Sequence, residues 1–423
     1  MAEERRLDDI NNFPRDIVNV DPYSIPLDQC DPANPFLFEA GVELPWFERL
    51  RKEDPVHYTN DSNFGPYWSV TRYEDIMAVD LAHDVFSSEP IITIGEPLEG
   101  FDLPMFIAMD RPKHDDQRRV VAPVVGPANL GNFEKLIRER TQSVLDDLPV
   151  GVEFDWVEQV SVELTTRMLA TLFGFPYEDR ARLKRWSDVA TATPGGGIID
   201  SEEQRREELL ECVGVFLELW NQRVNQPPQF DFISMLAHGE STKNMDMMEY
   251  LGNLILLIVG GNDTTRNTMS ASALAMHLHP DQFADVKADQ KLIENMVSET
   301  IRWQTPLAHM RRRAKIDTVL GGKAIKEGDK VVMWYLSGNR DESVFPNANE
   351  FNLHRDNLRR HLAFGFGIHR CMGNRLAEMQ LKILWEEILA RFDRIEVVGE
   401  VQRGASVFVR GITQLPVKIH AKA

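Results

Sequence analysis

The stretch FGFGIHRCMG, residues 364–373, sets glycines at 365, 367 and 373 around one cysteine, Cys371. Glycine allows a tight loop and close backbone approach, and the amphipathic pattern over 374–392 predicts a helix directly afterwards. A thiolate in front of a helix start is stabilised by the free amides there. A lone cysteine is ordinarily a small buried hydrophobe. The spacing FxxGxxxCxG argues against that reading.

The rest of the chain narrows the setting. Its 423 residues carry 47 basic and 66 acidic side chains, a net charge of 47 − 66 = −19, which argues against a general nucleic-acid binder. Cys30, Cys212 and Cys371 are far apart and form no CxxC pair, so neither a disulfide framework nor a cysteine zinc site is expected. The first residues, MAEERRLDDINNF, lack the apolar core of a signal peptide. The longest apolar stretch, LILLIV at 254–259, is about a third of the roughly 20 residues a bilayer span needs. A cytoplasmic protein without a membrane span is the expectation.

Residues 1–70 are rich in proline and turn signals and predict an irregular arm, with a helix near 45–51, a strand at YWSV and another helix starting at Thr71. From 115 to about 226 apolar residues recur three and four apart, as in FDWVEQVSVELTTRMLATLFGF, which predicts helices. TATPGGGIID (191–200) interrupts them as a mobile connection, a candidate lid hinge at 193–199. Residues 246–279 read as one long interior helix with GGNDTT (260–265) at its centre, where two glycines predict a kink. A helix over 292–303, strand-like pieces in TVLGGKAIKEGDKVVMWYLS, and a coil over 339–360 follow. The expectation is a mainly α fold with a small β region, one domain over 1–423 with a helical body over 71–423.

Two further motifs pair charged or titratable residues at helical spacing. Glu299 and Arg302 share one helical face at i, i+3, although several other ExxR pairs in the chain read as solvated. In RPKHDDQRR, His114 and Arg118 lie at i, i+4, a spacing that an exposed charged helix start would also give.

With these residues in view, the chain resembles the cytochrome P450 superfamily, whose haem-binding loop has the form FxxGxHxCxG. The resemblance implies that Cys371 is the axial thiolate of heme b (iron protoporphyrin IX), with Phe364 in the same loop; such a ligand favours O–O cleavage. It implies that His369, His114, Arg118 and Arg312 of HMRRRAKID meet the haem propionates, arginine being suited to carboxylates. Glu299, Arg302 and Arg355 become a buried network holding the haem loop. GGNDTT becomes the oxygen-binding turn of the central helix: Gly261 lies against the cofactor, and Asp263 with Thr264 forms an acid–alcohol pair relaying protons to dioxygen. Arg313, in a run of three arginines, departs from the smaller residue the pattern leads one to expect.

Stretches such as YWSVTRYEDIMAVD, RWSDVATATPGGG, LLIVGGNDTTRNTMS and KVVMWYLSGNRDE resemble the soluble bacterial branch that hydroxylates alkanes. That implies oxidation of the terminal (omega) carbon of medium-chain n-alkanes or fatty acids. The pocket would include Leu257, Gly260, Leu307, Phe408 and parts of 91–106. The chain has neither a GxGxxG fingerprint nor a cysteine cluster. Electrons are therefore expected from outside: by resemblance, from a ferredoxin (2Fe-2S) and its NADH-dependent reductase, docked near Arg359, Arg360 and Arg370. The alternatives are a same-fold monooxygenase of terpenes, steroids or aromatics, and a non-catalytic haem protein, which would not need the Asp263–Thr264 pair.

Overall fold

The computed structural model describes residues 9–97 and 100–422. The first eight residues of the N-terminal arm, and two of the 91–106 segment, lie outside the described residues.

In chain order, the helices that shape the site are α1 (Tyr73–Leu81), α2 (Lys113–Val121), α3 (Pro127–Asp146), α4 (Glu163–Phe173), α5 (Ala181–Thr191), α6 (Glu202–Arg223), α7 (Met247–Leu278), α8 (Ile293–Gln304) and α9 (Asn374–Arg391). The main strands are β1 (Val56–Thr59), β2 (Tyr67–Val70), β3 (Phe86–Ser87), β4 (Glu153–Asp155), β5 (Met310–Ala314), β6 (Lys330–Met333), β7 (Phe392–Val397) and β8 (Pro416–Ala421). They form a sheet of order β1-β2-β6-β5-β3 and another of order β4-β8-β7. The β2–β6 pair is parallel and its neighbours are antiparallel. The fold is thus mainly helical with small β regions, as the periodicity predicts.

The expected elements fall close to their places. The early helix spans Leu44–Glu53, YWSV is β2, and the arm before them is a series of short 3-10 turns. α1 begins at Tyr73, two residues later than expected, because Thr71 still bonds back to Pro55, hydroxyl and amide both donating to its carbonyl at 3.0 Å. The helix expected from FDWVEQVSVELTTRMLATLFGF opens instead as a wider π-helical segment, Val157–Val162, before α4. Arg313 leaves the strand intact: it faces outward on β5 and pairs in register with Lys330.

α7 is the axis of the molecule. Asp246 caps it, accepting the Glu249 amide at 2.9 Å, and Pro280 follows its end. The apolar first half, including Leu254 and Ile258, lies in one hydrophobic core with α4, α5 and α6, whereas Met269 to Met276 lie in another with α8, α9, β7 and β8. The polar turn 260–268 falls between these two cores.

Helical structure continues without a break through the glycine pair. The two glycines serve different neighbours. A Cβ on Gly261 would stand 2.8 Å from Leu169 Cδ2 of α4, while one on Gly260 would meet nothing within 4 Å. The pair thus provides close helix packing on one side and an open wall on the other.

Candidate active site

The Cys371 loop is built by its own backbone. The Cys371 amide donates to Phe364 O and the Gly365 amide to Leu362 O, both at 2.8 Å. Gly367 has φ +66°, and a side chain there would collide with the Asp80 carbonyl. The thiol is ringed by protein atoms, and the surface it exposes opens on an internal cavity. Burial raises its pKa; the Gly373 and Asn374 amides and the Arg118 and Arg370 guanidinium groups pull it down, and burial wins.

The predicted Glu299–Arg302–Arg355 network is assembled. Glu299 and Arg302 are fully buried and doubly bonded at 2.7 Å, and Arg355 Nε donates to Glu299 Oε1 at 3.1 Å. Arg302 also donates to the carbonyls of Asn339, Ala348 and Glu350, and Glu299 accepts the Asn352 amide. This ties α8 to the coil leading into the Cys371 loop. Breaking one member would strand the others at about 3–5 kcal/mol.

Facing the thiol across the cavity, α7 presents Leu257, Gly260, Gly261, Thr264 and Thr268. The space unfilled by protein atoms amounts to about 1450 Å³, part of it open to solvent. Leu307, Phe106, Phe364 and Arg118 also line it. Phe408 does not: its ring packs 5.4 Å from that of His309, and its carbonyl accepts the Ala308 amide at 2.9 Å. Phe408 is half-buried, and the Leu307 backbone beside it bridges to Val409.

Asp263 and Thr264 point different ways, as consecutive residues about 100° apart on a helix must. The Thr264 hydroxyl lies on the cavity wall and donates to Gly260 O at 3.0 Å. Asp263 is fully buried on the α5 side. It accepts from Ser187 Oγ at 3.1 Å, Thr191 Oγ1 at 3.3 Å, Asn262 Nδ2 at 3.0 Å and Arg266 at 3.0 Å. Burial pushes its carboxyl pKa up, against the opposing pull of Arg266, which also pairs with Asp188 of α5 at 2.9 Å. Arg266 was legible as an i, i+3 partner; Ser187 and Thr191, more than 70 residues away, carried no local signal.

At one edge of the cavity the predicted basic cluster comes together. The rings of His114 and His369 lie 4.2 Å apart, and Arg118, Arg312 and His369 line the wall. His369 bonds Ser88 Oγ through Nε2 at 2.9 Å, and His114 bonds Asp115 through Nδ1 at 2.8 Å. Their other nitrogens, His369 Nδ1 and His114 Nε2, are buried without a protein partner. Burial lowers both pKa values, that of His369 to about 2. Arg312 is already engaged: it pairs at 3.0 Å with Asp80, a buried acid that sequence reasoning missed. Asp80 also accepts from Tyr335 Oη at 2.7 Å and from the Phe366 amide at 3.1 Å.

The cytochrome P450 family model matches residues 202–419. The chain is 34% identical over 411 residues to linalool 8-monooxygenase of Pseudomonas putida, covering 94% of this chain and 100% of that protein. The chain belongs to the cytochrome P450 family. Two solved members of group 153 are alike throughout. Cytochrome P450-153 from Novosphingobium aromaticivorans has 46% identity and a TM-score of 0.87, covering 92% of this chain and 99% of its own. CYP153D17 from Sphingomonas sp. PAMC 26605 has 49% identity and a TM-score of 0.88, covering 93% and 100%.

As a cytochrome P450 this protein is a haem-dependent monooxygenase that uses dioxygen, draws electrons from a redox partner and takes an apolar substrate. The residues present fit the haem. A thiol opens on the cavity opposite a helix whose glycine leaves space, and two partnerless ring nitrogens stand beside two arginines at one edge. Among the described residues no helix is long and apolar enough to cross a membrane.

Proposed function

We propose that this monooxygenase hydroxylates the terminal methyl of medium-chain n-alkanes, or the omega position of fatty acids, with electrons from a ferredoxin. The observation that carries this reading is the wall itself. Its charged residues, among those described, are Arg118 and Arg312, both beside His369. If both serve haem propionates, none is left to anchor a polar substrate head, which favours alkanes over fatty acids. Burying a chain yields roughly 0.8 kcal/mol per methylene, so eight carbons give about 6 kcal/mol without a polar contact.

In this reading Cys371 would ligate the iron, and a coordinated thiol is deprotonated outright, reversing the effect of burial. His114, His369 and Arg118 would hold the propionates, with Arg312 shared between propionate and Asp80. The haem supplies oxygen activation. The chain's own part is to exclude water with leucine and phenylalanine side chains, to present a chain end to the metal, and to move protons. The Thr264 hydroxyl passes a proton across the cavity wall, and Asp263 replenishes it from behind α7 when its bonds to α5 loosen.

The test is to titrate octane, dodecanoate and linalool into the oxidised holoenzyme and then analyse products. A low-to-high spin shift with octane and formation of 1-octanol are expected. A shift and product with linalool alone would replace this reading with a terpene substrate, the alternative that the linalool relative favours.

A further inference from the structure

We propose that Asn253, seated on α7 against Gly252 and Gln117, is a positioning residue that fixes Phe106 over the cavity and thereby sets which carbon of the substrate is oxidised. This rests on the substrate reading above, and the experiment below separates the two.

Asn253 heads the α7 stripe that continues through Leu257, Gly260 and Thr264 along the cavity. It is fully buried, and both ends of its amide are engaged. Oδ1 accepts the Phe106 backbone amide at 3.0 Å, and Nδ2 donates to Gln117 Oε1 at 3.1 Å. Gln117 Nε2 donates in turn to Glu249 on α7, which Lys113 neutralises at 2.8 Å. The Phe106 amide belongs to a turn that would otherwise leave it buried and unpaired, a costly state that fixes the turn's position.

Gly252 supplies the second half of the clamp. A Cβ there would collide with the Pro104 carbonyl oxygen and stand 2.8 Å from the Pro104 carbonyl carbon, so the 103–104 backbone lies directly on the helix. Phe106 and Ile107 then face the cavity. Gln117 lies one helical turn from His114 and directly before Arg118 on α2, so the bonded chain and this helix tie the substrate-side turn to the edge assigned to the propionates. Terminal oxidation demands that one methyl be held within reacting distance while its neighbours are kept off, and errors near 1 Å are costly.

The test uses holoenzymes of Asn253→Ala and Gly252→Ala, each first checked for an intact thiolate-type carbon monoxide band and followed by hydrogen exchange over 101–109. Both should speed exchange in that peptide and lower the ratio of terminal to inner octanols roughly tenfold, with kcat falling less than the ratio. Asn253→Asp keeps the acceptor for Phe106 and should recover part of the ratio. Affinity for 4-phenylimidazole relative to imidazole should rise in both alanine variants, reading the space above the metal without any substrate. Unchanged exchange, or faster exchange with unchanged product and azole ratios, overturns the proposal. No octanol from the wild type, with the azole ratio still shifted, leaves the clamp standing and rejects the substrate reading. Should one variant fail to load haem, the other decides.

Discussion

The two walls of the cavity are made in opposite ways. The wall carrying Cys371 comes from a short loop whose shape is set by its own glycines and bolted to α8 by one buried ion network. The opposite wall is assembled from α7, α4, the 106–107 turn and the segment from Leu307 onward, none of them adjacent in sequence, with α5 behind it holding Asp263. One wall is rigid because its contacts are dense and charged. The other can be re-aimed because its geometry depends on hydrogen bonds between separate elements.

Cutting the rigid wall should have the largest effect. Glu299→Gln leaves Arg302 and Arg355 buried without their carboxylate, and a loss of about 3–5 kcal/mol is expected, read as a lower denaturation midpoint and poor haem loading. Near-normal stability in that variant would remove the contrast between the walls.

Acid should loosen the assembled wall. His309 is fully buried behind Leu307. Its Nδ1 donates to Val407 O at 2.9 Å and its Nε2 accepts the Ile94 amide at 3.0 Å, so a second ring proton would face an N–H. Its pKa is pushed down to about 4 by burial. The unfolded chain, with an ordinary histidine pKa near 6.5, therefore binds the proton first. The stability this site contributes is present above about pH 6.5 and is lost as pH falls toward 4, by about 3 kcal/mol. His361, pushed down to about 3, adds to the same limb. Melting curves across pH 4–7 should accordingly be flatter for His309→Gln than for the wild type; parallel curves would reject the assignment.

Asp263→Asn should leave the fold intact, since Arg266 keeps Asp188, but lower kcat about 100-fold. Oxygen uptake measured beside product formation separates slow turnover from loss of coupling. Arg360→Glu should have the smallest effect, a few-fold rise in the apparent KM for ferredoxin that steepens with falling salt. Arg359 is partly spent on Glu294 at 3.4 Å and is the weaker choice.

The same contrast explains what the sequence reveals. FxxGxxxCxG is a local pattern whose spacing is its geometry, so Cys371 and the helix after the loop are legible in the residues alone, whereas Glu299 and Arg302, one ExxR pair among several, are not. Arg355 and the basic edge required the family resemblance. Asp80, Ser187, Thr191 and Asn253 escaped because their partners lie on other elements, and no periodicity marks an asparagine that will bond a backbone amide nearly 150 positions away. The glycine pair signals that another element packs closely there, but helix propensity does not say which, and Leu169 of α4 is the neighbour.

The central claim is that Cys371 places its sulfur on a haem iron. Reducing the purified protein under carbon monoxide and recording the difference spectrum, for wild type and Cys371→Ser, tests it directly. A thiolate-type Soret band in the wild type that vanishes in the variant is predicted; a band that survives the substitution, or is missing from haem-loaded wild type, would contradict it.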